Sequence, residues 1–139
     1  MWPMAPAAKR FSYAAAVDRA GRISAESGPA VELGERWTPD HLLLVALARC
    51  SIESMRYHAA RAGGDLVATA DTSGVVTRRD EDGRYAFVEI RCDVEVELDP
   101  VPSTGELREL VAKAERDCFV GASLAVKPAY RWRVNGADV

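Results

Sequence analysis

The chain has 139 residues, enough for one hydrophobic core of ordinary size and too few for two independent ones. We therefore expect a single domain over residues 1–139, in which residues 1–9, rich in alanine and proline, are frayed. The formal net charge is -3 and 48% of the residues are hydrophobic, a balance typical of a soluble globular protein. This balance gives no electrostatic reason to expect a nucleic-acid partner.

Membrane association is not expected either. The longest apolar run, from Leu42 to Ala48, is far shorter than the roughly 20 residues that a membrane-spanning helix needs. The first six residues lack the positively charged flank and the long apolar region of a signal peptide. We therefore expect a cytoplasmic protein.

The N-terminal part of the chain predicts a β-hairpin. Residues 11–17 are typical of a weak strand, and residues 22–26 alternate polar and apolar side chains after the turn at residues 18–21. Residues 30–33 indicate a third short strand.

A long helix is predicted next, from Pro39 to about Ala62. Thr38 suits the N-cap, Pro39 suits the first helical position, and Asp40 complements the positive end of the helix dipole. Because residues 42–48 are all apolar, no side of the helix is left for water there, which predicts a buried central helix.

Polar residues return to this helix after Ile52, so its second half is predicted to emerge toward solvent. His58 is then interpreted as a surface histidine. Cys50 lies where the buried half ends.

Two strands should follow, over residues 65–77 and 88–98, joined by a charged hairpin loop with Asp82-Gly83 at its turn. The second strand places six apolar residues on one face: Val88, Ile90, Cys92, Val94, Val96 and Leu98. Cys92 is in register with aliphatic residues and is interpreted as a small buried hydrophobe.

Ser103 and Glu106 form a capping-box pattern that predicts a second helix. Apolar residues recur there at helical spacing, and Cys118 falls on the same stripe. Residues 126–134 alternate as a final strand. The predicted fold is α+β, with two main helices.

The cysteines Cys50, Cys92 and Cys118 form no close-spaced metal-binding pattern. The two histidines, His41 and His58, lie on one predicted helix with no spacing that pairs them with cysteines. We therefore expect no metal, no cofactor and reduced thiols.

Two cysteines on the apolar faces of two helices are explained by packing alone, since unpaired cysteine is among the most buried residue types. A functional interpretation is also open, because both thiols would converge in one core. Arg19, Arg22 and Asp40 supply charges from nearby loops, and a guanidinium next to a thiol stabilises its thiolate.

Two segments resemble the OsmC/Ohr family of thiol-dependent peroxidases. Residues 37–50 are similar to the family's signature of an acidic residue, an apolar run and Ala-x-Cys, and residues 114–124 resemble the segment around its second cysteine. The resemblance covers most of the chain. It implies an OsmC-like fold, with antiparallel sheets around two main helices in an intertwined homodimer.

The resemblance also implies roles for single residues. Cys50 matches the peroxidatic cysteine, which becomes a sulfenic acid, and Cys118 matches the resolving cysteine, which closes a disulfide for a lipoyl or thioredoxin-like dithiol to reopen. Arg19 matches the arginine that steadies the thiolate, with Arg22 as the fallback. Asp40 stands where the family usually has a glutamate that orients this arginine.

Helix geometry adds one inference. Asp40 and Cys50 are ten residues apart on one predicted helix, which is about 15 Å along its axis. Asp40 therefore cannot organise the Cys50 of its own chain directly. Either the arginine and the acid come from a second subunit, or Arg19 bridges the distance as part of a long loop; the homodimer that the resemblance implies agrees with the first option.

The leading hypothesis is a peroxidase that reduces organic hydroperoxides. One alternative is a non-enzymatic OsmC-like protein that binds a small apolar or thiol-reactive ligand at the dimer interface. Another is a structural dimer whose cysteines are inert.

Overall fold

A computed structural model describes residues 8–139, and the chain divides into two compact units, the second of which runs from Pro39 to Val139. The single-domain organisation stays a prediction. The expected fraying of residues 1–9 lies outside the described residues except for Ala8 and Lys9, which are exposed and have no regular secondary structure.

The first unit contains the predicted hairpin, made of β1 (Ala15–Val17) and β2 (Ile23–Ala25) in antiparallel pairing. The strand predicted over residues 11–17 is thus shorter than expected. Residues 30–33 form only an isolated bridge, between Val31 and Ile23.

The second unit begins with helix α1 (Pro39–Arg61), whose predicted start at Pro39 is confirmed. Its expected burial on all sides is wrong for the first half. Leu47 and Ala48 are buried, but Val45 is 45% exposed and Ala46 is also exposed. The rest of the second unit covers α1 from one side only, which leaves an apolar strip in contact with solvent.

The second unit also contains two further helices and a four-stranded sheet. The helices are α2 (Thr104–Arg116) and α3 (Phe119–Ser123). The strands are β3 (Asp65–Arg78), β4 (Tyr85–Asp99), β5 (Ala129–Val134) and β6 (Ala137–Asp138), in that order across the sheet. Only the β4–β5 pair is parallel. The α+β class is confirmed, with the core between α1, α2 and one face of the sheet.

The alternation predicted for β4 is confirmed from Ile90 to Leu98, whose apolar residues are all buried. It is wrong at Val88, which is 38% exposed. The register shifts between Val75 and Val76, so that Val75 faces Glu89 and Val76 faces Phe87. Val88 is left without a partner in this bulge, and Phe87 packs against the core instead.

The cap of α2 is confirmed, since the Ser103 hydroxyl accepts a hydrogen bond from the Glu106 amide at 3.3 Å. The position predicted for Cys118 is wrong, because α2 ends at Arg116 and Cys118 is the N-cap of α3. The helix α3 was not expected. Its five residues are too few for helical periodicity to reveal.

His58 is not a surface residue, contrary to the prediction. Its side chain is only 10% exposed, and its Nε2 lies 2.8 Å from the Asp117 carboxylate. Asp117 follows α2 directly and also pairs with the Arg116 guanidinium at 2.9 Å. The second half of α1 therefore packs against the end of α2, where a polar side chain has a partner and does not need water.

Replacing Asp117 with asparagine is expected to make the protein less sensitive to acid. Hydrogen bonds from Arg116 first, and then from His58, lower the pKa of Asp117 to about 2. Because this pKa is lower in the folded state, the contribution of the carboxylate is complete above the ordinary value of 3.8 and is lost as the pH falls toward 2.

Urea unfolding at several pH values across this window measures the effect. Wild type should lose more free energy of unfolding on acidification than Asp117→Asn. Asp80→Asn, in the exposed hairpin loop, is the matched control and should behave as wild type. An equal loss in wild type and Asp117→Asn would contradict the prediction.

None of the helices in the described part of the chain combines the length and the apolar character needed to cross a bilayer.

Candidate active site

Cys50 lies on α1 at the point where the helix faces the start of α3. Its side chain is half-buried and packs against the hydrophobic core. The backbone N–H groups of Val120 and Phe119, in the first turn of α3, donate hydrogen bonds to its sulfur. These donors favour the thiolate, as expected for amides at a helix N-terminus.

The pKa of Cys50 is nevertheless raised. Burial is the largest cause, and the neighbouring Cys118 thiol adds to it, whereas the amides of Val120 and Phe119 act in the opposite direction. No cation is among the main influences on this pKa. The second unit alone therefore holds Cys50 mostly as a thiol at neutral pH.

Cys118 is fully buried and is held by its position as the N-cap of α3. The Gly121 amide donates to its sulfur at 3.4 Å. The Cys118 thiol lies close enough to Cys50 to raise its pKa. The structure thus brings together the two cysteines that the sequence motifs single out.

Two hydroxyl groups that sequence reasoning missed lie beside Cys118. The Ser51 Oγ, fully buried, is 3.8 Å from the Cys118 Sγ and 3.3 Å from the Tyr130 hydroxyl. Ser51 directly follows Cys50, and Tyr130 is a polar member of an otherwise apolar face of β5. The signal available in the sequence was a residue with a hydroxyl group at a position where the pattern predicts an apolar side chain.

Cys92 lies on the other side of Ser51, with 3.8 Å between its Sγ and the serine Oγ. It is fully buried, and burial raises its pKa to about 11. A thiol with that pKa stays protonated at neutral pH, so Cys92 is a packing residue and not a nucleophile.

The charged residues predicted for the site lie elsewhere in the chain. Asp40 is in the first turn of α1, and the structure does not bring it to Cys50 of the same chain. Arg19 lies in the exposed turn of the first unit. Arg22 is 2.8 Å from Asp18, which also accepts the Arg22 and Ala20 amides at 2.9 Å.

The paired thiols can support redox chemistry. Cys50 is partly accessible and has amide donors at its sulfur, whereas Cys118 is buried beside it. If Cys50 is oxidised, Cys118 is placed to form a disulfide with it.

Comparison with solved structures finds the same fold in several proteins. An OsmC-like protein of unknown function from Vibrio cholerae has a TM-score of 0.73 at 12% identity, covering 89% of this chain and 100% of its own. An OsmC-like protein from Mycoplasma pneumoniae has a TM-score of 0.68 at 16% identity, covering 91% of this chain and 97% of its own.

An organic hydroperoxide resistance protein from Elizabethkingia anophelis also has this fold, with a TM-score of 0.63 at 14% identity, covering 91% of this chain and 99% of its own. A comparison with curated proteins found no match. The family model described as OsmC-like protein matches residues 32–132. This match contains both thiols, α1 and most of the sheet, and it shows that the chain belongs to the OsmC-like protein family.

Proposed function

We propose that this protein is a thiol-dependent peroxidase that reduces organic hydroperoxides. The observation that carries the proposal is the proximity of the Cys50 and Cys118 thiols, by which Cys118 raises the pKa of Cys50, together with the amides of α3 that donate to the Cys50 sulfur. The organic hydroperoxide resistance protein from Elizabethkingia anophelis, which has the same fold, supports it.

The reaction begins with attack of the Cys50 thiolate on the terminal peroxide oxygen. A sulfur–oxygen bond forms, the oxygen–oxygen bond breaks, and the alkoxide takes up a proton and leaves as an alcohol. Cys50 is then a sulfenic acid. The Cys118 thiolate attacks its sulfur, and hydroxide leaves and becomes water as the disulfide closes. A lipoyl or thioredoxin-like dithiol reopens the disulfide by thiol–disulfide exchange.

The surroundings of Cys50 favour an organic peroxide over hydrogen peroxide. The nearest residues of α3 are Phe119, which is exposed, and Val120, which packs against the core. An alkyl or aryl group bound there removes apolar surface from water, and hydrogen peroxide has no such group to contribute.

We further propose a homodimer in which each Cys50 receives its cation from the partner. The first unit exposes Tyr13 at 79%, Val17 at 73% and Trp37 at 47%, and α1 exposes Val45. Exposed apolar surface of this kind marks an interaction site. Because no cation is among the main influences on the pKa of Cys50, Arg19 of a second copy, oriented by Asp40, is the proposed source.

A second candidate function is non-enzymatic binding of a small apolar or thiol-reactive ligand. One observation favours it: burial raises the pKa of Cys50, and a protonated thiol is a poor nucleophile.

Thiol counting after stopped-flow mixing with cumene hydroperoxide distinguishes the peroxidase from the ligand-binding protein. The reduced chain has three thiols. A peroxidase should lose two of them rapidly, as one disulfide, and should release cumyl alcohol. Three thiols that survive an excess of peroxide would overturn the proposed function and support ligand binding.

A further inference from the structure

Cys118 lies in a cluster of hydroxyl groups that the reaction described above does not use. The Ser51 hydroxyl is 3.8 Å from its sulfur, and the Tyr130 hydroxyl lies beside the same sulfur, which helps to raise the pKa of Tyr130. Ser51 and Tyr130 are themselves 3.3 Å apart. Three elements, α1, β5 and the start of α3, therefore meet through these three side chains.

The protons of the cluster can be assigned. Ser51 has one proton, and the Leu47 carbonyl, 2.8 Å away, accepts it. The phenolic proton of Tyr130 is then available to the Cys118 sulfur. Burial raises the pKa of Tyr130, so it remains a donor throughout the neutral range.

Gly121 leaves the space that this arrangement needs. A Cβ at position 121 would lie 3.1 Å from the Tyr130 hydroxyl and 3.5 Å from the Cys118 sulfur. The Gly121 amide also donates to Cys118, at 3.4 Å. The close approach of tyrosine to cysteine is thus built into the backbone of α3.

We propose that Tyr130 is a positioning residue for Cys118: its hydroxyl group holds the Cys118 thiolate in place for attack on oxidised Cys50, and Ser51 packs beside that hydroxyl at 3.3 Å. The inference deepens the proposed function by assigning residues to the step that closes the disulfide. It rests on that function only for the natural oxidant of Cys50, an organic hydroperoxide. A fully buried thiolate is costly unless it accepts hydrogen bonds. The Tyr130 proton and the Gly121 amide meet this need at the resolving step, whereas the amides of Val120 and Phe119 serve Cys50.

Tyr130→Phe tests the proposal, because it removes the donor and keeps the ring. Diamide is used as oxidant beside cumene hydroperoxide. The Cys50 thiolate adds to the nitrogen–nitrogen double bond of diamide, and Cys118 then displaces the hydrazine as the disulfide forms. Closure of the disulfide is thus followed without a peroxide, by acid quenching and mass spectrometry.

In Tyr130→Phe, we expect Cys50 to form its first adduct at the wild-type rate. The disulfide should close about tenfold more slowly, because one hydrogen bond to a charged sulfur is lost. Dimedone should then trap more Cys50 sulfenic acid from cumene hydroperoxide. Ser51→Ala, a second variant, should slow closure by less. Tyr85→Phe, on the exposed start of β4, is the matched control and should behave as wild type.

Closure at the wild-type rate in Tyr130→Phe would overturn the proposal. Equal slowing of adduct formation and closure would also overturn it, since that result indicates a merely structural role. If wild type closes the disulfide with diamide but does not react with peroxide, the proposed function fails, and the diamide closure rates still decide this inference.

Discussion

Serine in place of Cys50 is expected to abolish the reduction of cumene hydroperoxide, leaving only the spontaneous rate. Serine has nearly the shape of cysteine, so α1 and its contacts with α3 should be kept. Its hydroxyl is not ionised at neutral pH and cannot attack the peroxide oxygen as the thiolate does. Cumyl alcohol release under excess dithiothreitol measures the loss.

Two other cysteine variants give this prediction its controls. Cys92→Ala removes the thiol that the structure places in the core and should keep turnover at the wild-type rate. Cys118→Ser should still consume one equivalent of peroxide, but Cys50 should stop at the sulfenic acid, which dimedone labels. Turnover by Cys50→Ser, or loss of turnover in Cys92→Ala, would show that the nucleophile is assigned to the wrong residue.

The elements that the sequence predicted well are those with strong local signals. The start of α1 is marked by proline and an acidic first turn, and the structure begins the helix at Pro39. The alternation of β4 identified Cys92 as a core residue. Both signals are local, so a single sequence contains them in full.

What the sequence did not predict depends on contacts between distant segments. The bulge that leaves Val88 unpaired arises from pairing with β3, and Gly74 beside it has Phe87 against its backbone. The contact between His58 and Asp117 joins residues 59 positions apart. No periodicity in one segment reveals either arrangement.

The candidate site shows the same division. Cys50 and Cys118 were found from their motifs, but the helical spacing from Ala114 to Cys118 wrongly extended α2, because Asp117 ends it without a glycine or proline to mark the end. The amides of α3 were missed for the same reason. Ser51 and Tyr130 come together only when α1 and β5 pack, so the sequence marks each hydroxyl as unusual for its position but does not reveal their contact.

Alanine in place of Arg19 is expected to lower the peroxide rate by about tenfold or more at neutral pH, since each unit of thiol pKa changes the thiolate fraction tenfold. Burial raises the pKa of Cys50, and no cation is among the main influences on this pKa. If Arg19 of a partner supplies that cation, its removal raises this pKa further, because a cation favours the thiolate.

The pH dependence of Cys50 alkylation by iodoacetamide measures this shift directly. Its midpoint should move to higher pH in Arg19→Ala. Arg22→Ala is the matched control from the same turn, because Arg22 already pairs with Asp18. A shift in Arg22→Ala alone would transfer the role to Arg22, and no shift in either variant would remove the turn from the site.

Mixed dimers test whether the arginine comes from the partner. A dimer of one Arg19→Ala subunit and one Cys50→Ser subunit has a single cysteine nucleophile, in the subunit that lacks the arginine. If Arg19 acts across the dimer, that cysteine meets the intact arginine of its partner, and about half of the wild-type activity returns, as separate sites predict. If Arg19 acts within its own chain, the one active cysteine of the mixed dimer is as slow as each site of the Arg19→Ala dimer. The second result would contradict the shared site, because the separation of Asp40 and Cys50 along α1 would then have to be bridged inside one subunit.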